Sequence, residues 1–129
     1  MNPLEKEFVP YPEALALKSL DFDEPCFGRF DGRGKNKGKI WYEMPNTGQD
    51  SIPVGDVLSP TYSQAFRWFR EHPEWPIDSW IEPHLSQNPK QYEGFYWRRG
   101  EKVSVGVFST YDETQLNLLR KLIEIVKNK

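Results

Sequence analysis

Seven large aliphatic side chains between Leu116 and Val126 set the first constraint on this fold. At about 100° per residue, Leu116, Leu118, Leu119, Leu122, Ile123, Ile125 and Val126 cover one half of a helix. Asn117, Arg120, Lys121, Glu124 and Lys127 take the other half. Thr110, with Glu113 three residues on, forms a capping box that starts the helix. Asp112 and Glu113 at its beginning and Lys127 and Lys129 at its end follow the order that the helix dipole favours. An apolar half this wide has to be buried, most simply across a β-sheet. The chain is expected to be α+β.

The rest of the chain supplies the strands. Pro10-Tyr11-Pro12 introduces a short helix through Leu20, because proline is tolerated in a helix's first turn. Residues 26–31 alternate in strand fashion, residues 32–38 (GRGKNKG) form a flexible tip, and residues 39–44 (KIWYEM) return as the second strand of a hairpin. Residues 45–58 hold Pro45, Gly48, Pro53 and Gly55 and are expected to be an irregular loop. Ser59 as N-cap and Pro60 at the first helical position begin a second helix, with Tyr62, Ala65, Phe66 and Phe69 on one stripe. Trp68 falls beside that stripe.

Beyond Pro73, residues 77–82 predict a short strand whose flanking prolines, Pro76 and Pro83, point to a sheet edge. Residues 91–98 and 102–108 predict a hairpin turning at Arg99-Gly100-Glu101. That three-residue loop sets Trp97 opposite Val103 and Phe95 opposite Val105, an apolar face. The other face carries Tyr96 against Ser104, Gly94 against Gly106 and Tyr92 against Phe108. The predicted order is α-β-β-α-β-β-β-α, with an antiparallel sheet of about four to five strands and two to three helices. Ala16-Leu17-Lys18-Ser19-Leu20 resembles Ala65-Phe66-Arg67-Trp68-Phe69, which raises an arrangement of two α-β-β units.

A chain of 129 residues is sized for a single domain with one core. Aromatic residues make up 15% of it, and each buried ring removes about 150–250 Å² from water. Seventeen basic and nineteen acidic residues leave a formal charge of −2, which weighs against a protein that lives by its affinity for phosphate backbones. The single Cys26 cannot form an internal disulfide and fits a reducing compartment. No apolar run spans a bilayer, and the N-terminus lacks the basic-then-apolar order of a secretory signal. The expected address is the cytoplasm, with no membrane partner.

Catalytic constellations are not apparent. His72 and His84 form no metal-binding spacing with each other or with Cys26, so neither a metal nor another cofactor is expected. Cys26 as a nucleophile competes with Cys26 as a small buried hydrophobe, and the second outweighs the first. Asp21, Asp23 and Glu24 read as a solvated turn. The tip is not a Walker A sequence, because Arg33 stands where the motif needs glycine and a strand follows where it needs a helix.

Two candidate surfaces remain. Arg33, Lys35, Lys37 and Lys39 on the tip form an electrostatic hand for phosphates, though a mobile solvated tip explains them more simply. Tyr92, Gly94, Tyr96, Ser104, Gly106 and Phe108, with Arg98 at the end, form a dented aromatic face of the kind on which single-stranded nucleic acids stack. A helix packed over that face is the commoner outcome for such a sheet.

Residues 8–31 (FVPYPEALALKSLDFDEPCFGRFD), 59–72 (SPTYSQAFRWFREH) and 118–127 (LLRKLIEIVK) together resemble a family of short, uncharacterised proteins of prophages and mobile elements in anaerobic gut bacteria. The resemblance implies a setting and carries no catalytic or binding residues. The expected function is a small, non-catalytic accessory protein that binds another protein, with Trp68, Tyr92, Tyr96 and Phe108 as candidate interaction residues. The alternative is a nucleic-acid-binding module built on the aromatic sheet face and the basic tip.

Overall fold

The computed structural model describes residues 3–42, 45–84 and 90–128. The chain is α+β and divides into two compact units, Met1–Gln64 and Ala65–Lys129. Each has its own three-stranded antiparallel sheet.

In the first unit a 3₁₀ turn over Pro3–Glu7 precedes helix α1, Tyr11–Ser19. The helix ends in a paired cap: Phe22 N–H donates to the Leu17 carbonyl and Asp21 N–H to that of Lys18. Asp21 takes the left-handed conformation this cap requires (φ 70°), which a short polar side chain tolerates. Ala14 and Leu17 are buried, as are Val9, Phe22, Phe30 and Val57 of the same unit. Strands β1 (Gly28–Phe30), β2 (Ile40–Trp41) and β3 (Val57–Ser59) form the sheet in the order β2-β1-β3.

Three expectations change here. The paired part of 39–44 is Ile40–Trp41; Glu43 and Met44 lie outside the described residues. The expected irregular loop 45–58 ends in a strand, β3. Its three residues are all buried, so the polar–apolar alternation that announces a half-exposed strand is absent. Ser59 therefore does not cap the second helix: it is a buried strand residue opposite Gly28. The chain stays extended through Pro60, whose carbonyl accepts from Val9 N–H at 2.9 Å, and Thr61 caps instead, its Oγ1 accepting from Gln64 N–H at 3.2 Å. Helix α2 runs Tyr62–Arg70, from the first unit into the second.

The second unit is a meander, β4 (Ser79–His84), β5 (Gln91–Arg98) and β6 (Glu101–Phe108), followed by helix α3 (Tyr111–Lys127). β4 is an edge strand, and Pro83 sits inside it, opposite Tyr92, where an edge tolerates the missing donor. Helix α3 packs on all three strands and buries Leu118, Leu119, Leu122 and Ile123. Glu113 N–H bonds to Thr110 Oγ1 at 3.1 Å, the N-terminal cap read from the sequence.

The hairpin register is right at one end and displaced at the other. Tyr92 faces Phe108 and Gly94 faces Gly106 as expected, but Phe95 faces Ser104, Tyr96 faces Val103 and Trp97 faces Lys102. The turn holds two residues, Arg99 and Gly100, both at positive φ (52° and 79°), which matches the natural twist of a hairpin. A bulge between Gly94 and Phe95 leaves Val105 without a partner and absorbs the difference. The described residues thus hold six strands in two sheets, not four to five in one. The sheet orders differ between units, so two copies of one α-β-β motif do not describe them.

Candidate functional site

The bulge and the two-residue turn decide which residues lie on which face of the second sheet. Tyr92, Gly94 and Tyr96 share the face under α3. A Cβ on Gly94 would stand 2.9 Å from Val105 Cγ2 and 3.4 Å from Thr114 Cγ2, so glycine is what lets the helix approach there. Tyr92 meets Tyr111 edge-on, with centroids 5.6 Å apart, and Tyr96 is only 5% exposed. The face that offered a surface for stacked bases is therefore covered by the unit's own helix, the commoner of the two outcomes weighed for it. Phe108, opposite Tyr92, is half-buried. The glycine dent receives α3.

The opposite face, expected to be apolar, carries charged and polar groups among its rings. Trp80 stacks on Phe95 (5.6 Å, 23°) and tilts against Trp97 (5.5 Å, 43°). Lys102 Nζ lies 4.1 Å from the Phe95 ring centroid, a cation held against a π face. Glu82 accepts from Trp80 Nε1 at 2.6 Å and pairs with Lys102 Nζ at 3.3 Å. Glu93 accepts from Ser104 Oγ at 2.6 Å and contacts His84 Nδ1 at 3.1 Å. Phe95, at the centre of this face, is buried beneath these neighbours, and Trp97 at its edge is 44% exposed.

Serine, glutamate and histidine here do not make a nucleophilic relay. That relay needs imidazole between hydroxyl and carboxylate, whereas Glu93 stands between Ser104 and His84 and ties each by a different oxygen. The cluster links three strands. Cys26 is buried, and its Sγ lies 3.2 Å from the Glu24 carbonyl. Burial, aided by the Glu24 charge, pushes its thiol up to about 12, so the thiolate needed for attack is absent near neutral pH.

Glu82 offers a direct check on this face. The Trp80 indole N–H, and after it Lys102, hold its carboxyl below the ordinary glutamate value. A depressed folded value means that the stabilising contact is complete above the unfolded value and is lost as pH falls through the folded one. Trp80 fluorescence is expected to titrate with a midpoint below that of ordinary glutamate, and Glu82→Gln to abolish that step. A step at or above the ordinary value, or one that persists in Glu82→Gln, contradicts the assignment.

Beside the Arg99–Gly100 turn the same sheet ends at an open cleft of about 470 Å³, lined in part by Trp75, Tyr96, Trp97, Arg98, Arg99 and Ile125. Trp75 lies flat on His72 at 3.4 Å and 9°. Trp68 meets Phe69, His72 and Trp75 edge-on, so it belongs to an aromatic cluster and does not stand alone. Among the predicted residues, the structure brings Tyr96 and Arg98 together at the cleft. Arg33, Lys35 and Lys37 are exposed on the tip of the first unit, and Lys39 Nζ lies 5.6 Å from the Trp41 ring centroid.

The sequence places Phe95 and Trp97 on an apolar face but does not single out Trp80, Phe95, Trp97 or Lys102 as site residues. A signal was present: at period two, Gln91 and Glu93 share a face with Phe95 and Trp97, and Glu82 and His84 share one with Trp80, so that side could not be an all-apolar core. Among the described residues no group of three histidine, cysteine or acidic side chains is placed to hold a metal ion, and no helix is long and apolar enough to cross a membrane. Comparison with protein-family models, with curated proteins and with solved structures finds no match.

Proposed function

We propose that this chain is a small, non-catalytic binding protein, an accessory factor of a phage or mobile element, that recognises another protein through the open face of its second sheet. The observation behind this reading is the Trp80–Phe95–Trp97 ladder, whose outermost ring is nearly half exposed. Tryptophan and arginine dominate the energetics of protein interfaces. Here the rings are held by one another and by Lys102, so ordering them on binding costs little. The acids of this face already carry hydrogen bonds, which favours a protein surface over a phosphate backbone.

A nucleic-acid reading keeps one observation in its favour: Arg98 and Arg99 adjoin Trp97. The two separate in one experiment. Retention of a partner by the immobilised chain is compared with and without nuclease, for the native protein, Trp97→Ala and a triple Arg33→Gln, Lys35→Gln, Lys37→Gln variant. A nuclease-resistant partner is expected, weakened by about 2 kcal/mol or more in Trp97→Ala and unchanged in the triple variant. Submicromolar, salt-sensitive oligonucleotide binding that Trp97→Ala abolishes without unfolding would reverse the ranking.

A further inference from the structure

We propose that the cleft beside the Arg99–Gly100 turn is a small-molecule site for a planar ring bearing a phosphate monoester, with a nucleoside 5′-monophosphate as its representative ligand. The volume, about 470 Å³, lies in the range of small-molecule sites. An adjoining cavity of about 300 Å³ shares Tyr96, Arg98 and Ile125 with it and extends along α3 to Lys121.

The charge is what selects the ligand. Arg98 and Arg99 are adjacent, both line the cleft, and neither meets a carboxylate among the described residues. Two like charges side by side repel, and a bound anion removes that penalty. A guanidinium presents paired donors that match phosphate oxygens, and two of them match a dianion better than a monoanion. Glu101 stands opposite Arg98 across the turn but forms no ion pair with it, and Glu124, on the adjoining cavity, sits 3.4 Å from Lys121 Nζ. The C-terminal end of α3, where bare carbonyls would repel an anion, is capped by Asn128 N–H on the Glu124 and Val126 carbonyls.

The walls select the ring. Trp75 is held flat on His72 and Trp97 is held by Trp80, so two indoles reach the cleft already fixed in orientation. Tyr96 and Ile125 add an aromatic and an aliphatic surface. Inorganic phosphate would leave these walls wet, and a neutral nucleoside would leave both guanidiniums unused. The full ligand satisfies both halves of the site.

Calorimetric titration of the full chain with adenosine 5′-monophosphate, adenosine and inorganic phosphate tests this. The monophosphate is expected to bind at least about tenfold more tightly than either fragment. The double variant Arg98→Gln, Arg99→Gln, both at exposed positions, is expected to reduce it to the level of adenosine with an unchanged thermal melt. The proposal is overturned by no binding of the monophosphate up to millimolar concentration, by affinity equal to that of either fragment, or by affinity retained in the double variant. Binding of an oligonucleotide without binding of the monomer overturns it as well. Protein recognition is read separately, as a nuclease-resistant partner that the Arg98→Gln, Arg99→Gln variant still retains, so either reading can fail while the other stands.

Discussion

Leu119→Ala is expected to cost the second unit about 2–5 kcal/mol, measured as a fall in the denaturant midpoint with an unchanged slope. Leu119 is wholly buried on the inner face of α3, among Leu118, Leu122 and Ile123. Truncation removes the transfer energy of the lost methyl groups and leaves a cavity that a helix packed across three strands cannot readily close. Ile123→Ala, one turn along the same stripe, is expected to fall in the same range. Arg120→Ala, between them in sequence but exposed, should change little. Costs near zero at both Leu119 and Ile123 would mean that α3 does not cover the sheet, and the covered Tyr96 face would have to be reopened as a site.

Gly32→Ala is the second large effect, at about 3 kcal/mol in the first unit. A Cβ at this position would stand 1.7 Å from the Gly55 carbonyl oxygen, a backbone atom that cannot swing aside. Gly32 N–H also donates at 3.0 Å to Asp56 Oδ1, and Asp56 is buried and bonded to Arg29. Moving the chain to relieve the clash would therefore take the Gly32 donor away from Oδ1 of a buried carboxylate. The tip, expected from sequence to be mobile and dispensable from 32 to 38, is anchored at its base. Residues 33–37 are exposed, so Arg33→Ala or Lys35→Ala should shift the melting temperature by little. Equal, small effects at Gly32 and Lys35 would show that the tip is free along its whole length.

What was legible in the sequence follows the strength of local signals. α3 was legible because its period, cap and charge order all agree over seventeen residues. α1 was legible from its prolines alone, despite a weak apolar face. β3 was not, because three consecutive buried residues carry no alternation. The N-cap at Ser59 was displaced by a tertiary contact, the pairing of β3 with β1, that no local pattern encodes.

The candidate site was half legible for a related reason. Period two sorted 91–98 correctly into two sets, Tyr92-Gly94-Tyr96 and Glu93-Phe95-Trp97. It could not say which set meets a helix, because both contain large rings. The dent made by Gly94 and Gly106 was the discriminating feature. A notch in a sheet serves a helix as well as a ligand, and here Thr114 and Leu118 of α3 approach it. The arginine pair was hidden by the turn: a three-residue loop pairs Arg98 differently from the two-residue turn that places Arg98 and Arg99 together at the cleft.

The central proposal, recognition of a protein by the Trp80–Phe95–Trp97 face, is tested most directly by photo-crosslinking in the cell that makes this chain. A photoreactive phenylalanine analogue is placed at position 97 in one sample, at 35 on the tip in a second and at 96 under α3 in a third. A discrete, nuclease-resistant protein adduct is expected from position 97, and none from 35 or 96. Adducts that vanish with nuclease, or that arise from position 35 and not from 97, would contradict it.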